Sequence, residues 1–127
     1  MLIVITNQAG IAKGLYTRDD VMKCYDYLQE QCGHLIDDIY YCPHHPSYDT
    51  QSLTRKPGSL LLEKAMAKYN ITPDESWMIG DAPRDIQAGK RVGVRTLRIV
   101  HNPELPTDSD KQAPNLLEAS KLVLNYT

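Results

Sequence analysis

The sequence contains no apolar run long enough to cross a bilayer. Its longest apolar stretches, such as residues 2–5, hold only a few residues, whereas a transmembrane helix needs about 20. Met1 is not followed by a basic and then apolar leader with a small-residue cleavage site, which is the pattern of a secretory signal. We therefore expect no membrane anchor and a cytoplasmic location.

The sequence also lacks a cluster of basic residues. Its 14 Lys and Arg residues are scattered among 16 acidic ones, and the net charge is −2 with the four histidines neutral. A nucleic-acid-binding surface needs a basic patch or stripe, so we expect a small-molecule partner instead. Cys24, Cys32 and Cys42 are an odd and widely spaced set, which is typical of reduced thiols rather than a disulfide framework.

The sequence contains alternating strand and helix patterns over a length that fits one domain. With 127 residues and 42% hydrophobic content, one core can form without disulfides or a structural metal. Residues 2–5 are continuously apolar, which predicts a strand buried on both faces, as in parallel sheets. Strands are predicted at 2–5, 36–41, 77–79 and 94–100, and helices at about 18–31, 61–69, 85–91 and 114–124. Thr17 followed by Asp20 resembles a capping box at the start of the first helix, and a loop is predicted between residue 100 and residue 114. This order predicts an α/β fold with a parallel sheet flanked by helices and right-handed crossovers.

Polar side chains follow several of these strands, where ligands collect in a parallel sheet. They are Thr6, Asn7, His44, Lys56, Asp81 and Asp85, at the strand ends or in the loops just beyond. Asp81 and Asp85 together could bind Mg²⁺, which prefers hard oxygen ligands. The alternatives are a helix N-cap for Asp85 and an ordinary turn residue for Asp81.

Four residues on these segments have the chemistry to bind phosphate. Thr6 and Asn7 could offer a hydroxyl and backbone N–H groups, although such residues also simply begin turns. Lys56 could neutralise phosphate oxygens, and Arg55 could form a forked hydrogen bond with a second group. The alternative for this pair is solvated surface charge. Residues 42–58 contain three prolines and form a long loop of the kind that often carries function.

The segment Cys42-Pro43-His44 has a spacing that zinc could use. A structural zinc site normally has four ligands, and His45 is the one further candidate nearby. An ordinary loop cysteine and histidine are the alternative interpretation.

Four segments resemble one protein family when they are taken together, in the same order and spacing. They are VITNQAGIAKG at 4–14, IYYCPHHP at 39–46, RKP at 55–57 and WMIGDAPRD at 77–85. The chain from residue 2 to about residue 100 resembles the histidinol-phosphatase and heptose-bisphosphatase branch of the HAD (haloacid dehalogenase-like) superfamily. The resemblance implies a Rossmann-like HAD core and a Mg²⁺-dependent phosphatase for a small sugar phosphate. The implied substrate is D-glycero-D-manno-heptose 1,7-bisphosphate.

The resemblance also implies roles for individual residues. The substrate-binding residues would be Thr6, Asn7, Gln8, Ala9, Arg55 and Lys56. Among them, the Thr6 hydroxyl binds phosphate and Lys56 steadies a phosphoaspartyl species, while Asp81 binds Mg²⁺. The family attacks phosphate with an aspartate, and a second aspartate two residues on protonates the leaving group.

Two departures from the family pattern change these expectations. The family's zinc loop closes with Cys-x-Cys just before RKP, where this chain has Ser52-Leu53-Thr54, so the zinc ligand set is incomplete. The family strand that carries the Asp-x-Asp nucleophile precedes the region matched by Leu2, so we expect the nucleophile to be absent. That strand lies at the centre of the family's sheet, between the strands that end at Thr6 and Asp81. We expect its loss to leave backbone groups unpaired. Two alternatives are open: the chain is truncated, or the two strands that flank the missing one pair with each other directly.

These departures leave three functions open. The first is a sugar-phosphate phosphatase with an incomplete catalytic set. The second is a catalytically inactive module that binds a phosphate ligand through Thr6, Lys56 and Asp81 without turnover. The third is a phosphatase for histidinol phosphate, which the retained motifs do not distinguish from the first. No pattern in the sequence predicts an oligomeric state.

Overall fold

The computed structural model describes residues 1–102 and 106–126. Its elements, in chain order, are β1 (Ile3–Asn7), α1 (Arg18–Gln31), β2 (Asp38–Cys42), α2 (Leu60–Tyr69), a 3₁₀ turn (Pro73–Glu75), β3 (Trp77–Gly80), α3 (Pro83–Arg91), β4 (Arg95–Ile99), β5 (Lys111–Ala113) and α4 (Leu116–Leu124). The chain divides into two compact units, Met1–Ala65 and Met66–Thr127. Every strand pair is parallel, which confirms the predicted α/β class. The expectation of a single domain stays a prediction.

The first unit contains a two-stranded parallel sheet made of β1 and β2. The register runs from Ile3 opposite Asp38 to Asn7 opposite Cys42, and α1 lies between the two strands in sequence. The helix begins as predicted, because Thr17 and Asp20 form a reciprocal capping box that satisfies two backbone N–H groups. Every residue of β1 is half-buried, so the prediction of a strand buried on both faces was wrong. Among the described strands β1 pairs with β2 alone, which leaves its other edge without a neighbouring strand.

The second unit contains a three-stranded parallel sheet in the order β3-β4-β5. Its core is centred on Leu97, Ala113 and Ala119, with half-buried apolar side chains packed around them. The prediction missed β5 and assigned its residues to a loop. The strand is only three residues long and begins with exposed Lys111 and Gln112, so it lacks the apolar alternation by which strands are recognised.

Helix α3 begins two residues earlier than predicted. Pro83 occupies the first helical position, where its missing N–H is harmless because that group has no partner inside a helix. Val92 then ends the helix, and Gly93 follows with a φ of 79°, a conformation that glycine adopts at little cost. Among the described residues, no helix has the length and apolar character needed to span a membrane.

Helix α3 approaches the sheet closely at Gly89. A Cβ atom at this position would lie 2.8 Å from Met78 Cβ on β3 and 2.9 Å from Thr96 Cγ2 on β4. These distances are shorter than van der Waals contact, and Met78 Cβ is fixed to the backbone of its strand. Glycine is therefore required for the helix to lie against these two strands.

We expect Gly89→Ala to destabilise the protein. Overpacking typically costs about 1–3 kcal/mol, and the better helix propensity of alanine offsets about 1 kcal/mol of that. The free energy of unfolding, measured in urea, should therefore fall by up to about 2 kcal/mol. Gln87→Ala, at an exposed position of the same helix, is the control and should change it by less than about 0.5 kcal/mol. A gain in stability in Gly89→Ala, as helix propensity alone would give, would contradict the close packing.

The loop before β5 is tied to β4 through Thr96 and Asp110. Asp110 Oδ2 accepts hydrogen bonds from the Thr96 backbone N–H at 2.7 Å and from its hydroxyl at 3.0 Å. The Asp110 N–H donates to Thr96 Oγ1 at 3.2 Å. The hydrogen bond from the Thr96 backbone, together with that from its hydroxyl, lowers the pKa of Asp110 below its ordinary value of 3.8. These bonds thus favour the ionised carboxylate in the folded state.

This lowered pKa predicts an acid-dependent stability. A carboxyl group whose pKa is lower in the folded state stabilises the fold above its unfolded pKa and loses this effect as pH falls through the folded pKa. The free energy of unfolding of the wild type, measured in urea, should therefore fall as the pH is lowered from about 5 to about 2. Asp110→Asn should be less stable at neutral pH and should show a smaller loss on acidification. An equally steep loss in the variant would show that Asp110 does not contribute.

Candidate phosphate and metal sites

The carboxyl end of β1 is joined to the loop that carries Lys56 by the side-chain amide of Asn7. Asn7 Oδ1 accepts the Lys56 backbone N–H at 3.0 Å, and Asn7 Nδ2 donates to the Lys56 carbonyl at 3.3 Å. One amide thus satisfies both backbone groups of a residue 49 positions away in sequence. The structure brings Thr6, Asn7 and Lys56 together at one strand end, as the sequence predicted.

The Lys56 side chain is also fixed at this strand end. It is 8% exposed, and its Nζ donates a hydrogen bond to the Ile5 carbonyl at 3.1 Å. Backbone bonds at Leu2 and Gln8 join β1 to β2. Since alternate residues of a strand direct their backbone groups to opposite sides, the Ile5 carbonyl faces away from β2. The ammonium group therefore satisfies a carbonyl on the edge of β1 that no described strand covers.

Arg55 precedes Lys56 and has a donor that the described residues do not satisfy. Its Nη1 atom is buried without a hydrogen-bond partner among them. Leaving a buried donor unpaired costs roughly 1–3 kcal/mol, and native structures contain few such groups. An anionic or hydroxyl-bearing ligand at this position would supply the missing acceptor. The next peptide bond, Lys56–Pro57, is cis.

Thr6 and Gln8 point to the face of β1 opposite Asn7, because side chains alternate along a strand. On that face, an open cavity of about 430 Å³ extends between the sheet and α1. The Tyr16 hydroxyl donates to Gln8 Oε1 at 2.6 Å, and Gln8 Nε2 donates to Thr6 Oγ1 at 3.1 Å. All three side chains line the cavity. Sequence reasoning missed Tyr16, since it lies in a loop and no motif used in the prediction includes it.

In the second unit, Asp81 follows β3 directly and its side chain is exposed. Across the part of the chain that the structure describes, its carboxylate makes no hydrogen bond or ion pair. Asp85 differs, because it is 4% exposed and its Oδ2 accepts the Ala82 N–H at 3.1 Å. It occupies the third position of α3 and Ala82 occupies the N-cap. Asp85 thus caps the helix with its side chain, but it does so from the third helical position and not from the N-cap position that was considered.

The chemistry of these carboxylates fits Mg²⁺. Residues 1–102 and 106–126 contain no group of three or more His, Cys, Asp or Glu side chains placed to hold a metal ion. Mg²⁺ does not need such a group, because it keeps several waters and is often bound by one or two carboxylates together with substrate phosphate. The exposed and unbonded carboxylate of Asp81 meets this requirement better than the buried, capping carboxylate of Asp85.

The loop after β2 does not fit a zinc ion. Cys42 is buried and its Sγ contacts the His44 carbonyl at 3.9 Å, while His44 Nδ1 lies 2.8 Å from Asp49 Oδ2. The hydrogen bond from His44, followed by those from the His45 and Thr50 backbones, lowers the pKa of Asp49 to about 2.

Two hydroxyl residues complete this loop. Ser52 and Thr54 stand where a zinc loop would end in two cysteines, and their hydroxyl oxygens lie 2.6 Å apart, joined by a hydrogen bond. Hydroxyl groups of this kind are not the ligands of structural zinc sites, which use cysteine and histidine. In the described part of the chain, hydrogen bonds hold this loop, and its side chains do not supply the ligand set of a structural zinc site.

The sequence contains one Asp-x-Asp, at Asp108-Ser109-Asp110. It precedes β5 rather than following a strand, and Asp110 is engaged by Thr96. An attacking carboxylate has to be presented to the substrate, and ligands collect at the carboxyl ends of parallel strands. This pair therefore does not occupy the position of the family's nucleophile.

The chain as a whole is similar to known proteins. Residues 53–119 match the HAD-hydrolase-like family. The chain is 32% identical to the D-glycero-beta-D-manno-heptose-1,7-bisphosphate 7-phosphatase of Haemophilus ducreyi, over 94% of the chain and 70% of that protein. It is 35% identical to the D-glycero-alpha-D-manno-heptose-1,7-bisphosphate 7-phosphatase of Photorhabdus laumondii, over 96% of the chain and 73% of that protein.

A solved structure resembles the chain as well. It is D,D-heptose 1,7-bisphosphate phosphatase from B. bronchiseptica, complexed with magnesium and phosphate. The TM-score is 0.82 at 24% identity, and the match covers 96% of this chain and 73% of that one. At this level of identity the match shows a common fold.

We expect Asn7→Ala to release the Lys56 loop from β1. The substitution removes two hydrogen bonds, each contributing about 0.5–1.5 kcal/mol, and leaves the Lys56 backbone groups unpaired. Hydrogen exchange at the Lys56 amide, followed by NMR, should become at least about tenfold faster, since 1.4 kcal/mol corresponds to a factor of 10. Gln51→Ala, at an exposed position of the same loop, is the control. Unchanged exchange at Lys56 in Asn7→Ala would contradict the joining role of Asn7.

Proposed function

Because the chain belongs to the HAD-hydrolase-like family, in the branch of the heptose-1,7-bisphosphate 7-phosphatases, we propose that it serves Mg²⁺-dependent hydrolysis of a sugar phosphate. The proposed substrate is D-glycero-D-manno-heptose 1,7-bisphosphate, and the reaction removes its phosphate at C7. The relatives are named for this reaction. The partner is thus a small phosphorylated metabolite, and we retain the cytoplasmic location predicted from the sequence.

The observation that carries the proposal is the placement of Lys56 at the carboxyl end of β1. Asn7 holds the Lys56 backbone, and the ammonium group reaches the carbonyl of Ile5, the residue before Thr6. A buried ammonium group raises the effective attraction for an anion, because less water screens it. A phosphate group bound here receives a hydrogen bond from the Thr6 hydroxyl and a charge-assisted one from Lys56.

Arg55 and the loop after β1 complete the binding residues in this proposal. The unsatisfied Nη1 of Arg55 donates to a substrate hydroxyl or to a second phosphate. Asn7, Gln8 and Ala9 form the beginning of the loop that lines the substrate. Asn7 acts through its hold on Lys56, and Gln8 through its contact with Thr6.

In the second unit, Asp81 is the residue proposed to hold Mg²⁺. Its exposed carboxylate supplies a hard oxygen ligand. When bound, this ion neutralises phosphate charge and polarises a phosphoryl oxygen. Asp85 supports Asp81 indirectly, because its carboxylate caps the first turn of α3 and packs directly against Gly80. No residue of this sequence is proposed as the attacking nucleophile.

One observation favours a second candidate function, a module that binds a phosphate ligand without hydrolysing it. The single Asp-x-Asp of the sequence lies before β5, with Asp110 bonded to Thr96. The binding residues of the first unit do not depend on that pair. Measuring binding and phosphate release separately distinguishes the two functions, because only the phosphatase yields inorganic phosphate.

We expect Lys56→Met to weaken binding of heptose 1,7-bisphosphate in the presence of Mg²⁺. Loss of a charge-assisted hydrogen bond costs about 1.5–3 kcal/mol, which corresponds to roughly 10- to 150-fold in Kd. Isothermal titration calorimetry on the whole chain measures this change, with circular dichroism to verify folding. Lys64→Met removes an equally charged side chain from an exposed position of α2 and should leave Kd within about twofold. Equal losses in both variants would contradict a specific role for Lys56.

The same titrations test the metal and the substrate. Mg²⁺ should tighten binding to the wild type, and Asp81→Asn should remove this dependence while keeping the fold. Histidinol phosphate should bind more weakly than the heptose bisphosphate, which has a second phosphate for Arg55. Binding without release of inorganic phosphate would favour the second candidate function, and no saturable binding of either ligand would refute both.

A further inference from the structure

A chain of three side chains connects the loop after β1 to the proposed phosphate-binding hydroxyl. The Tyr16 O–H donates to Gln8 Oε1 at 2.6 Å, and Gln8 Nε2 donates to Thr6 Oγ1 at 3.1 Å. Both distances are within the normal range for their atom types, and the first is short. All three side chains are half-buried on one wall of the cavity beside α1, where reduced exposure to water strengthens such bonds.

The position of Tyr16 depends on a glycine. Gly10 is buried, and a Cβ atom there would overlap with the ring of Tyr16. The tyrosine ring therefore lies directly on the backbone of the loop that follows Gln8. This contact fixes the hydroxyl at the end of the ring, so that it reaches Gln8 rather than solvent.

The direction of these hydrogen bonds decides what Thr6 can do. When the Tyr16 hydroxyl donates to the oxygen of the Gln8 amide, the nitrogen of that amide faces Thr6 and donates to it. Thr6 Oγ1 then acts as acceptor, and its own proton is available for a different acceptor. Its present acceptor is the Asn7 carbonyl at 3.4 Å, which is long for a hydroxyl donor. A reversed amide would instead accept the Thr6 proton and take that donor away.

We propose that Tyr16 is a positioning residue, which acts through Gln8 to keep the Thr6 hydroxyl as a hydrogen-bond donor for a phosphate oxygen. The proposal rests on the proposed function in so far as Thr6 binds phosphate. Tyr16 need not touch the ligand, since its hydroxyl is engaged by Gln8. Its effect is to fix the orientation of the Gln8 amide, which is otherwise free to rotate by half a turn.

The same cavity offers a matched control. Tyr25 also lines it, and the Tyr25 hydroxyl accepts a hydrogen bond from Gln29 Nε2 at 2.8 Å. This pair has the same two side-chain types, but it has no hydrogen bond to Thr6. Tyr16→Phe and Tyr25→Phe each remove one hydroxyl from the cavity wall and leave the ring in place. They differ in whether the lost hydroxyl orients the amide that contacts Thr6.

The test uses NMR of the whole ¹⁵N-labelled chain with inorganic phosphate as the probe. Without phosphate, Tyr16→Phe should shift the side-chain amide signals of Gln8 and speed their exchange with water, while Tyr25→Phe should leave them in place. With phosphate, the wild type should show saturable shifts at the Thr6 and Asn7 backbone amides. Tyr16→Phe should weaken phosphate binding by about 2- to 10-fold, the effect of one hydrogen bond, and Tyr25→Phe by less than about twofold.

A double-mutant cycle separates positioning from packing. Gln8→Leu removes the connection between Tyr16 and Thr6, so Tyr16→Phe in that background should cause no further loss of phosphate affinity. If Tyr16 stabilised only the loop, its loss would add to that of Gln8→Leu. Well-dispersed backbone signals in every variant establish that each one folds.

The outcomes are distinguishable. If the wild type binds phosphate at Thr6 but Tyr16→Phe behaves like Tyr25→Phe, the positioning role is wrong and the proposed function stands. Additive losses in the cycle would overturn the role in the same way. If the wild type shows no saturable shifts at Thr6, the phosphate-binding assignment of the proposed function fails, and the role of Tyr16 fails with it.

Discussion

The hydrogen bonds between the Asn7 amide and the Lys56 backbone are the interaction on which the residues proposed to bind phosphate in the first unit depend. They join the end of β1 to a loop 49 residues further along the chain. Without them, the backbone of the loop that carries Lys56 would not be joined to β1 at this strand end. With them, the Lys56 ammonium group reaches the Ile5 carbonyl. This contact supplies a donor to a carbonyl on the edge of β1 and places a positive charge at the residue before Thr6.

The polar side chains of the two units are held in different ways. In the first, Lys56 is held by a hydrogen bond to the Ile5 carbonyl at the edge of β1, and Gln8 and Tyr16 are held by a hydrogen bond in the wall of the cavity beside α1. In the second, the buried Asp85 caps the first turn of α3 and packs against Gly80, while Asp81 stays exposed and free of protein partners in the described residues. Of two acidic residues four positions apart, Asp85 is engaged by the protein and Asp81 is the one proposed to bind Mg²⁺. This division agrees with general chemistry, because a carboxylate that already accepts a backbone N–H has fewer lone pairs to offer.

Several predictions from the sequence were wrong for identifiable physical reasons. A continuously apolar run indicated a strand buried on both faces, but β1 has one described neighbour and its residues are half-buried. The polar β5 was missed because a short edge strand carries no alternation. Asp85 was considered as an N-cap, whereas Pro83 allows α3 to begin earlier and moves Asp85 to the third position. For β1 and α3 a neighbouring segment decided the outcome, whereas β5 carries no local pattern to recognise.

The sequence by itself determined the α/β class, most helix and strand positions, the capping box at Thr17 and Asp20, and the family. These follow from periodicity, capping residues and short motifs, all of which act between residues close in the chain. Only the tertiary structure decided that Asn7 holds Lys56, that Tyr16 reaches Thr6 through Gln8, and that Thr96 binds Asp110. Such contacts join residues whose spacing in sequence carries no information about their distance in space. They form only when strand ends and loops are brought together by the fold.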